Sequence, residues 1–328
     1  MQNAYSDALD ILLRDLCPPG RVRAIDGGAA AADLWEALRD SGFADCLLPE
    51  DAGGAALPLR DLAPVLHVLG WHALPLPLGQ TIVARAVLHE AGAALPDIPL
   101  ALASVEADAG AALVADGAHA HAYLLQSGAR CVLVPRAAAD VEATGAHADA
   151  TVRLSGKAIA EGTGFPLPPG TLRRLGACVH AAQLAGAMER VLSLTVQYAN
   201  DRRQFGRAIG KFQAIQQQIS EMAEHVAAAR MAAQLACHAD GTLPDPIRVA
   251  VGKLRASEAV TPVAAIAHAV HGAIGITEEY DLQLYTRRLH AWRVADGAEP
   301  WWARWLGNAV CGRTDGGAVA LAREWSGL

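Results

Sequence analysis

Residues 198–223 read YANDRRQFGRAIGKFQAIQQQISEMA. The stretch places adjacent arginines (Arg202, Arg203), an aromatic (Phe205), glycines (Gly206, Gly210) and a run of glutamines at the approach to a helix. A solvated surface favours Glu and Lys, and a core excludes Arg and Gln. The mixture describes a surface shaped to hold something anionic and partly aromatic. The flanks on both sides are helical. Upstream, RRLGACVHAAQLAGAMERVLSLTVQYANDR (173–202) is a long Ala/Leu-rich helix. Downstream, Ile215, Ile219, Met222 and Val226 recur at the spacing of one buried helical face. Pro244 and Pro246 break the chain, and a third helix runs through IRVAVGKLRASEAVTPVAAIAHAVHGA (247–273). Residues 275–310 then read as a turn, a helix, a loop at Asp296 and a last helix.

Moving toward the N-terminus, the texture changes between Pro99 and Gly164. Short apolar runs are broken there by Gly and Asp. YLLQSGARCVLVP (123–135) reads as strand, turn, strand, and ATVRLSGKAIA (150–160) alternates like a further strand. The residues before Pro99 read as helices with short breaks. Leu34, Leu38 and Phe43 lie near helical spacing, with Gly42 as a stop. Leu62, Val65, Leu66 and Leu69 form another buried face. The expected domains are a helical 1–96, a reduced β domain over 97–166, and a helical bundle over 167–328.

Bulk properties narrow the function. Hydrophobic residues are 52% and charged residues 19% of 328, which supports a substantial core and argues against disorder. A net charge of -7 gives no support for nucleic-acid binding. Charged residues or His interrupt every apolar run, so no membrane span is expected. The N-terminal stretch reads as an amphipathic helix, not an export signal. The six cysteines form no CxxC, which fits reduced thiols in a cytoplasmic protein. His119 and His121 share one side of a strand without an evident third ligand, so no metal is expected. The Gly-Lys at 252–253 lacks the rest of a phosphate loop. Trp301 and Trp305 share a helix face, as a core or an interface would need.

Taken in order, these words resemble the acyl-CoA dehydrogenase family over nearly the whole chain. LWEALRDSGFADCLLPEDAGG (34–54) is similar to the family's N-terminal helix and Pro-Glu-x-x-Gly-Gly loop. Residues 198–216 are similar to its Arg-x-x-Phe-Gly signature, followed by Phe-Gln at a helix head. HGAIGITEEYDLQLYTRRLHAWRVADGA (271–298) is similar to its second signature. The resemblance implies a three-domain, mainly α architecture, with an N-terminal helical domain, a small middle β domain and a C-terminal four-helix bundle. It implies that the first signature grips the adenosine-diphosphate half of FAD across a subunit interface. Arg202 would pair with the pyrophosphate, Gln204 and Phe205 would line its path, Gln213 would hydrogen-bond it, and Gly272 and Gly275 would allow close backbone approach.

The family's reaction removes two hydrogens across Cα–Cβ of an acyl-CoA thioester. A carboxylate takes the α-proton while a hydride leaves Cβ for the flavin. The matching residue is Asp296, where the family usually has Glu. Asp is one methylene shorter, and a misplacement of about 1 Å can cost about a hundredfold in rate. Asp296 is therefore either a base for a differently placed substrate, or the cap of the helix that follows; Glu299 is close enough to share its space. Other positions also depart from the pattern. Ala269 stands for a Gln, Ala273 for the second Gly of a pair, and Ala298 for Thr or Ser. The family's Thr-Glu-Pro-like and Trp-x-Thr-like segments against the flavin ring have no counterpart in 99–164. The half of the site that touches the ring looks reduced, and the half that grips a cofactor tail looks kept.

That asymmetry resembles the shortened subunit of α2β2 acyl-CoA dehydrogenases of sterol side-chain catabolism. It implies a full-length paralogous subunit as partner, a steroid-type acyl-CoA as substrate and an electron-transfer flavoprotein as electron acceptor. A self-sufficient homo-oligomer and a non-catalytic structural subunit are the alternatives.

Overall fold

The computed structural model describes residues 3–105, 111–144, 147–154, 162–311 and 318–326. Five helices come first: α1 (Ala4–Leu16), α2 (Pro19–Asp26), α3 (Ala32–Asp40), α4 (Leu59–Trp71) and α5 (Leu78–Glu90). Asn3 and Ser6 start α1 by reciprocal side-chain-to-backbone hydrogen bonds of 2.8 Å, a capping box that leaves Leu9 and Leu13 buried. Gly42, at φ +78°, stops α3 in a conformation that side chains disfavour. Leu62, Val65, Leu66 and Leu69 are all buried along α4, as their spacing requires.

The strands follow: β1 (Leu100–Val105), β2 (Ala111–Val114), β3 (Ala122–Ser127), β4 (Arg130–Pro135), β5 (Ala139–Ala143), β6 (Ala150–Leu154) and β7 (Thr163–Pro166). They form two sheets, ordered β1-β3-β4-β7 and β2-β6-β5. The β3–β4 hairpin pairs antiparallel from Ala122–Pro135 to Ser127–Arg130, while β1 lies parallel to β3. The strand read over 150–160 is described to Leu154; the rest of that reading lies outside the described residues. Leu100, Leu102 and Leu124 join the helical core. Ala101, Ala103, Tyr123 and Leu125, on the opposite face of the same strands, pack with Val114 and Val152 of the second sheet.

The remaining helices are α6 (Thr171–Asp201), α7 (Gln213–Ala236), α8 (Pro246–His271), α9 (Leu282–Val294), α10 (Glu299–Cys311) and α11 (Ala318–Ser326). Helices α6 to α9 make the bundle. The α4–α6 crossing is so close that a Cβ on Gly70 would lie 2.0 Å from the Gln183 carbonyl oxygen, and one on Gly186 would lie 1.9 Å from that of His67.

Trp301 and Trp305 pack partly buried against the core, and Trp302 between them is buried to 1% exposure. Two expectations need correcting. The helix after Asp296 is followed by another, α11. Residues 246–276 are long and apolar enough to cross a membrane, with a mean hydropathy of 1.5 in the best window. In this fold the segment packs inside the bundle, burying Val249, Val260, Val263 and Ala267.

Candidate functional site

The opening stretch folds as a corner between two helices. Helix α6 ends at Asp201, and Arg202 turns the chain out in an extended conformation. Two short strands, β8 (Arg203–Gln204) and β9 (Arg207–Ala208), then pair around Phe205 and Gly206. Phe205 at φ +51° and Gly206 at φ +80° make this the two-residue hairpin turn with positive φ at both centres. The Phe205 ring at the tip is 90% exposed, edge-on to Phe212. Arg207 lies over the Phe212 ring at 4.1 Å. Helix α7 starts at Gln213 with no side-chain cap, so its first N–H groups get no side-chain partner, though that of Ile215 bonds to the Phe212 carbonyl.

A cleft of about 470 Å³ lies inside this corner, lined by Tyr198, Arg202, Gln204 and Phe205 and, from the end of α8, by His271 and Gly272. Four of the six residues expected to contact a cofactor therefore converge. Gly272 sits at φ +63°, ψ -144°, with open space where a side chain would go, so backbone conformation is what demands glycine there. Gln213 and Gly275 are not in the lining. Gln213 opens α7 beside the cleft. Gly275 is buried, and a Cβ there would come within 2.9 Å of the His271 Cβ, so it serves packing.

His271 also lines the cleft. It is 3% exposed, stacks on Tyr198 at 4.5 Å, and shares a hydrogen bond of 2.7 Å with the Ala267 carbonyl through Nδ1. The carbonyl only accepts, so Nδ1 carries the proton. Burial pushes the imidazole pKa down, and Nε2 has no partner among the described residues. An arginine fork, an amide, an uncapped helix start and aromatic faces together suit a diphosphate joined to an aromatic base.

Asp296 lies elsewhere, in the turn between α9 and α10. It has φ +54° and precedes Gly297 at φ +109°. Its Oδ2 is 2.8 Å from His180 Nδ1 on α6. It does not cap α10: the N–H groups of Trp301 and Trp302 bond to the Ala298 carbonyl. Glu299 is drawn away into an ion pair with Arg293. Lys253 of α8 is fully buried and donates to the carbonyls of Trp292 (3.0 Å) and Arg293 (2.8 Å) and to Ser257 Oγ (2.9 Å), closing the end of α9. Burial pulls its pKa down to about 8, against the pull of Asp296 and Glu299.

A second polar group joins α2, α9 and the β region. Arg288 is 2% exposed and forks onto Asp26 at 2.7 and 2.9 Å. Burial alone would raise the Asp26 pKa, but His147 and Arg288 outweigh it and hold it down to about 2. Asp116, buried beside Asp149, is pushed up to about 7 by burial and then by that like charge. Nothing in the sequence signalled this group, because its members come from four distant segments.

The comparisons with known proteins agree with this architecture. The model of the acyl-CoA dehydrogenase C-terminal domain matches residues 162–304. The acyl-CoA dehydrogenase IpdE2 of Mycobacterium tuberculosis is 36% identical over 282 residues, covering 83% of this chain and 85% of that protein. Its counterpart in Mycolicibacterium smegmatis is 33% identical over 270 residues, covering 79% and 81%. In fold, the chain is similar to a ChsE4-ChsE5 complex from Mycobacterium tuberculosis (TM-score 0.82, 22% identity, covering 96% of this chain and 99% of that one). It is also similar to a Tcur3481-Tcur3483 steroid ACAD G363A variant (TM-score 0.79, 23% identity, covering 94% and 96%). The chain belongs to the acyl-CoA dehydrogenase family.

Proposed function

We propose that this chain is a subunit of an FAD-dependent acyl-CoA dehydrogenase, acting with a full-length paralogous subunit on a bulky, steroid-type acyl-CoA. The carrying observation is the cleft at the α6–α7 corner. The fit to a dinucleotide holds at its adenosine-diphosphate end. Arg202 and the start of α7 offer donors to phosphate, Gly272 leaves the backbone bare, and His271 Nε2 is a buried acceptor without a partner among the described residues. FAD, when bound, supplies the hydride acceptor. The chain's own part is to hold the diphosphate with Arg202, stack against the base with Tyr198 and Phe205, and offer a carboxylate at Asp296 for the α-proton. The exposed Phe205 tip and the open side of the cleft favour a site completed by another subunit. The similar structures named for two chains, ChsE4-ChsE5 and Tcur3481-Tcur3483, support the pairing, and the description of the second as a steroid ACAD supports the substrate class.

The test is the visible spectrum of the chain purified alone and after co-expression with the paralogue. Flavin bands only in the co-expressed complex, with acyl-CoA oxidation that passes electrons to an electron-transfer flavoprotein, are the expected result. A stoichiometric flavin in the lone chain would overturn the pairing. No flavin in either preparation would overturn the cofactor reading.

A further inference from the structure

The Asp296 turn is tied on three sides. Lys253 holds the end of α9 through the carbonyls of Trp292 and Arg293. Arg293 pairs with Glu299 across the turn. The third tie is to α6, and it has a particular form. A Cβ built on Gly176 would lie 2.3 Å from Asp296 Oδ2, 2.4 Å from Cγ and 2.6 Å from Oδ1. Any side chain there would expel the carboxylate, so Gly176 is a notch cut for it. One turn along the same face, at i+4, His180 places Nδ1 2.8 Å from Oδ2. A carboxylate accepts and cannot donate, so Nδ1 carries the proton. Helix α6 thus offers a Gly-x-x-x-His cradle to one carboxylate.

Depth separates the two partners. His180 is 1% exposed and the Asp296 side chain 13%. The histidine stands behind and the carboxylate in front, with Oδ2 engaged and Oδ1 free of any described hydrogen bond to the protein. Asp296 holds φ +54°, a backbone conformation that non-glycine residues seldom adopt and that persists where the surroundings over-determine it. A turn needing only a cap would have no use for a notch in a neighbouring helix. The Asp116 and Asp149 carboxyls lie within electrostatic range of the same ring from the β region.

We propose that His180 is the positioning residue of Asp296. Its Nδ1–H fixes the carboxylate rotamer against the Gly176 notch and leaves Oδ1 to meet the substrate's α-hydrogen, which makes up for a side chain one methylene shorter than Glu. This rests on the dehydrogenase reading above, and the test separates the two. In the flavin-loaded complex with the paralogue, acyl-CoA turnover by the unaltered protein tests the reading, and its absence would sink that reading alone. His180→Leu removes the donor and should lower kcat about tenfold to a hundredfold, with KM and flavin content held. His180→Asn, whose side-chain N–H replaces Nδ1–H, should restore most of kcat. Unchanged kcat in His180→Leu, or no rescue by Asn while the flavin is retained, would overturn the positioning role. A readout on the chain alone needs no activity. Nitrogen-15 resonances of His180 should show the Nδ1–H tautomer and lose it in Asp296→Ala. An Nε2–H tautomer in the unaltered chain would overturn the proposal whatever the reaction proves to be.

Discussion

Replacing Lys253 with Met tests whether a buried charge has been kept for placement at the expense of stability. The ammonium is fully buried, and burial takes its pKa from the ordinary 10.5 to about 8. At about 1.36 kcal/mol per unit, carrying the charge inside costs the fold about 3 kcal/mol below pH 8. The sign follows from proton counts. Between pH 8 and 10.5 the unfolded chain holds a proton on Lys253 that the folded chain has released, so this group's contribution to stability rises with pH across that window. Met removes the charge but leaves the Trp292 and Arg293 carbonyls without their donor, at about 1 kcal/mol each. Lys253→Met should therefore be as stable as the unaltered chain at pH 7, to within about 1–2 kcal/mol. Its advantage should then shrink by about 3 kcal/mol as pH climbs from 8 to 10.5. Urea unfolding followed by tryptophan fluorescence measures both, and comparing the two proteins at each pH cancels the thiols and tyrosines that titrate nearby. A flat difference over that window would refute the reasoning. So would a loss of 3–5 kcal/mol at pH 7, the cost of breaking a well-compensated buried ion group. In the active complex the same variant should lose turnover, because the Asp296 turn loses its anchor.

Other perturbations test separate parts of the structure. Arg202→Ala should lower flavin occupancy of the complex about tenfold or more, with Arg202→Lys intermediate because it lacks the fork; bound-flavin absorbance per chain reads both. Gly272→Ala forces a side chain into φ +63°, so it should cost about 1–3 kcal/mol and speed flavin release, seen as recovered flavin fluorescence on dilution. Asp116→Asn should remove a loss of stability on raising pH from about 4 to 7. The raised pKa of about 7 means the folded state holds a proton there that the unfolded state has lost, and thermal melts across that range measure the effect. Gly186→Ala would press a methyl into the His67 carbonyl and should leave the chain unfolded or split α4 from α6, visible in near-ultraviolet circular dichroism.

The helices were legible because their faces repeat. Met222 and Val226 on α7, and Leu62 to Leu69 on α4, are buried as their spacing requires. The β3–β4 hairpin was legible from its Gly turn. Strand β1 was harder, because both of its faces are buried: Leu100 and Leu102 look to the helices while Ala101 and Ala103 look to the second sheet. With no polar face there is no alternation to read. On α10 the spacing of Trp301 and Trp305 marked indoles that do pack on the core, but not Trp302, the most buried of the three.

By itself, the sequence determined the helical–β–helical order and the presence of two signatures, because each rests on local periodicity or a contiguous motif. Only the tertiary structure decided what surrounds Asp296. Gly176, His180 and Lys253 lie 120, 116 and 43 positions from it in the chain, and nothing in their local sequence says that they meet. Packing α6, α8 and α9 side by side turns a glycine into a notch and a histidine into a donor for one carboxylate, and a buried lysine into a clamp on the backbone at the end of α9 that leads into its turn.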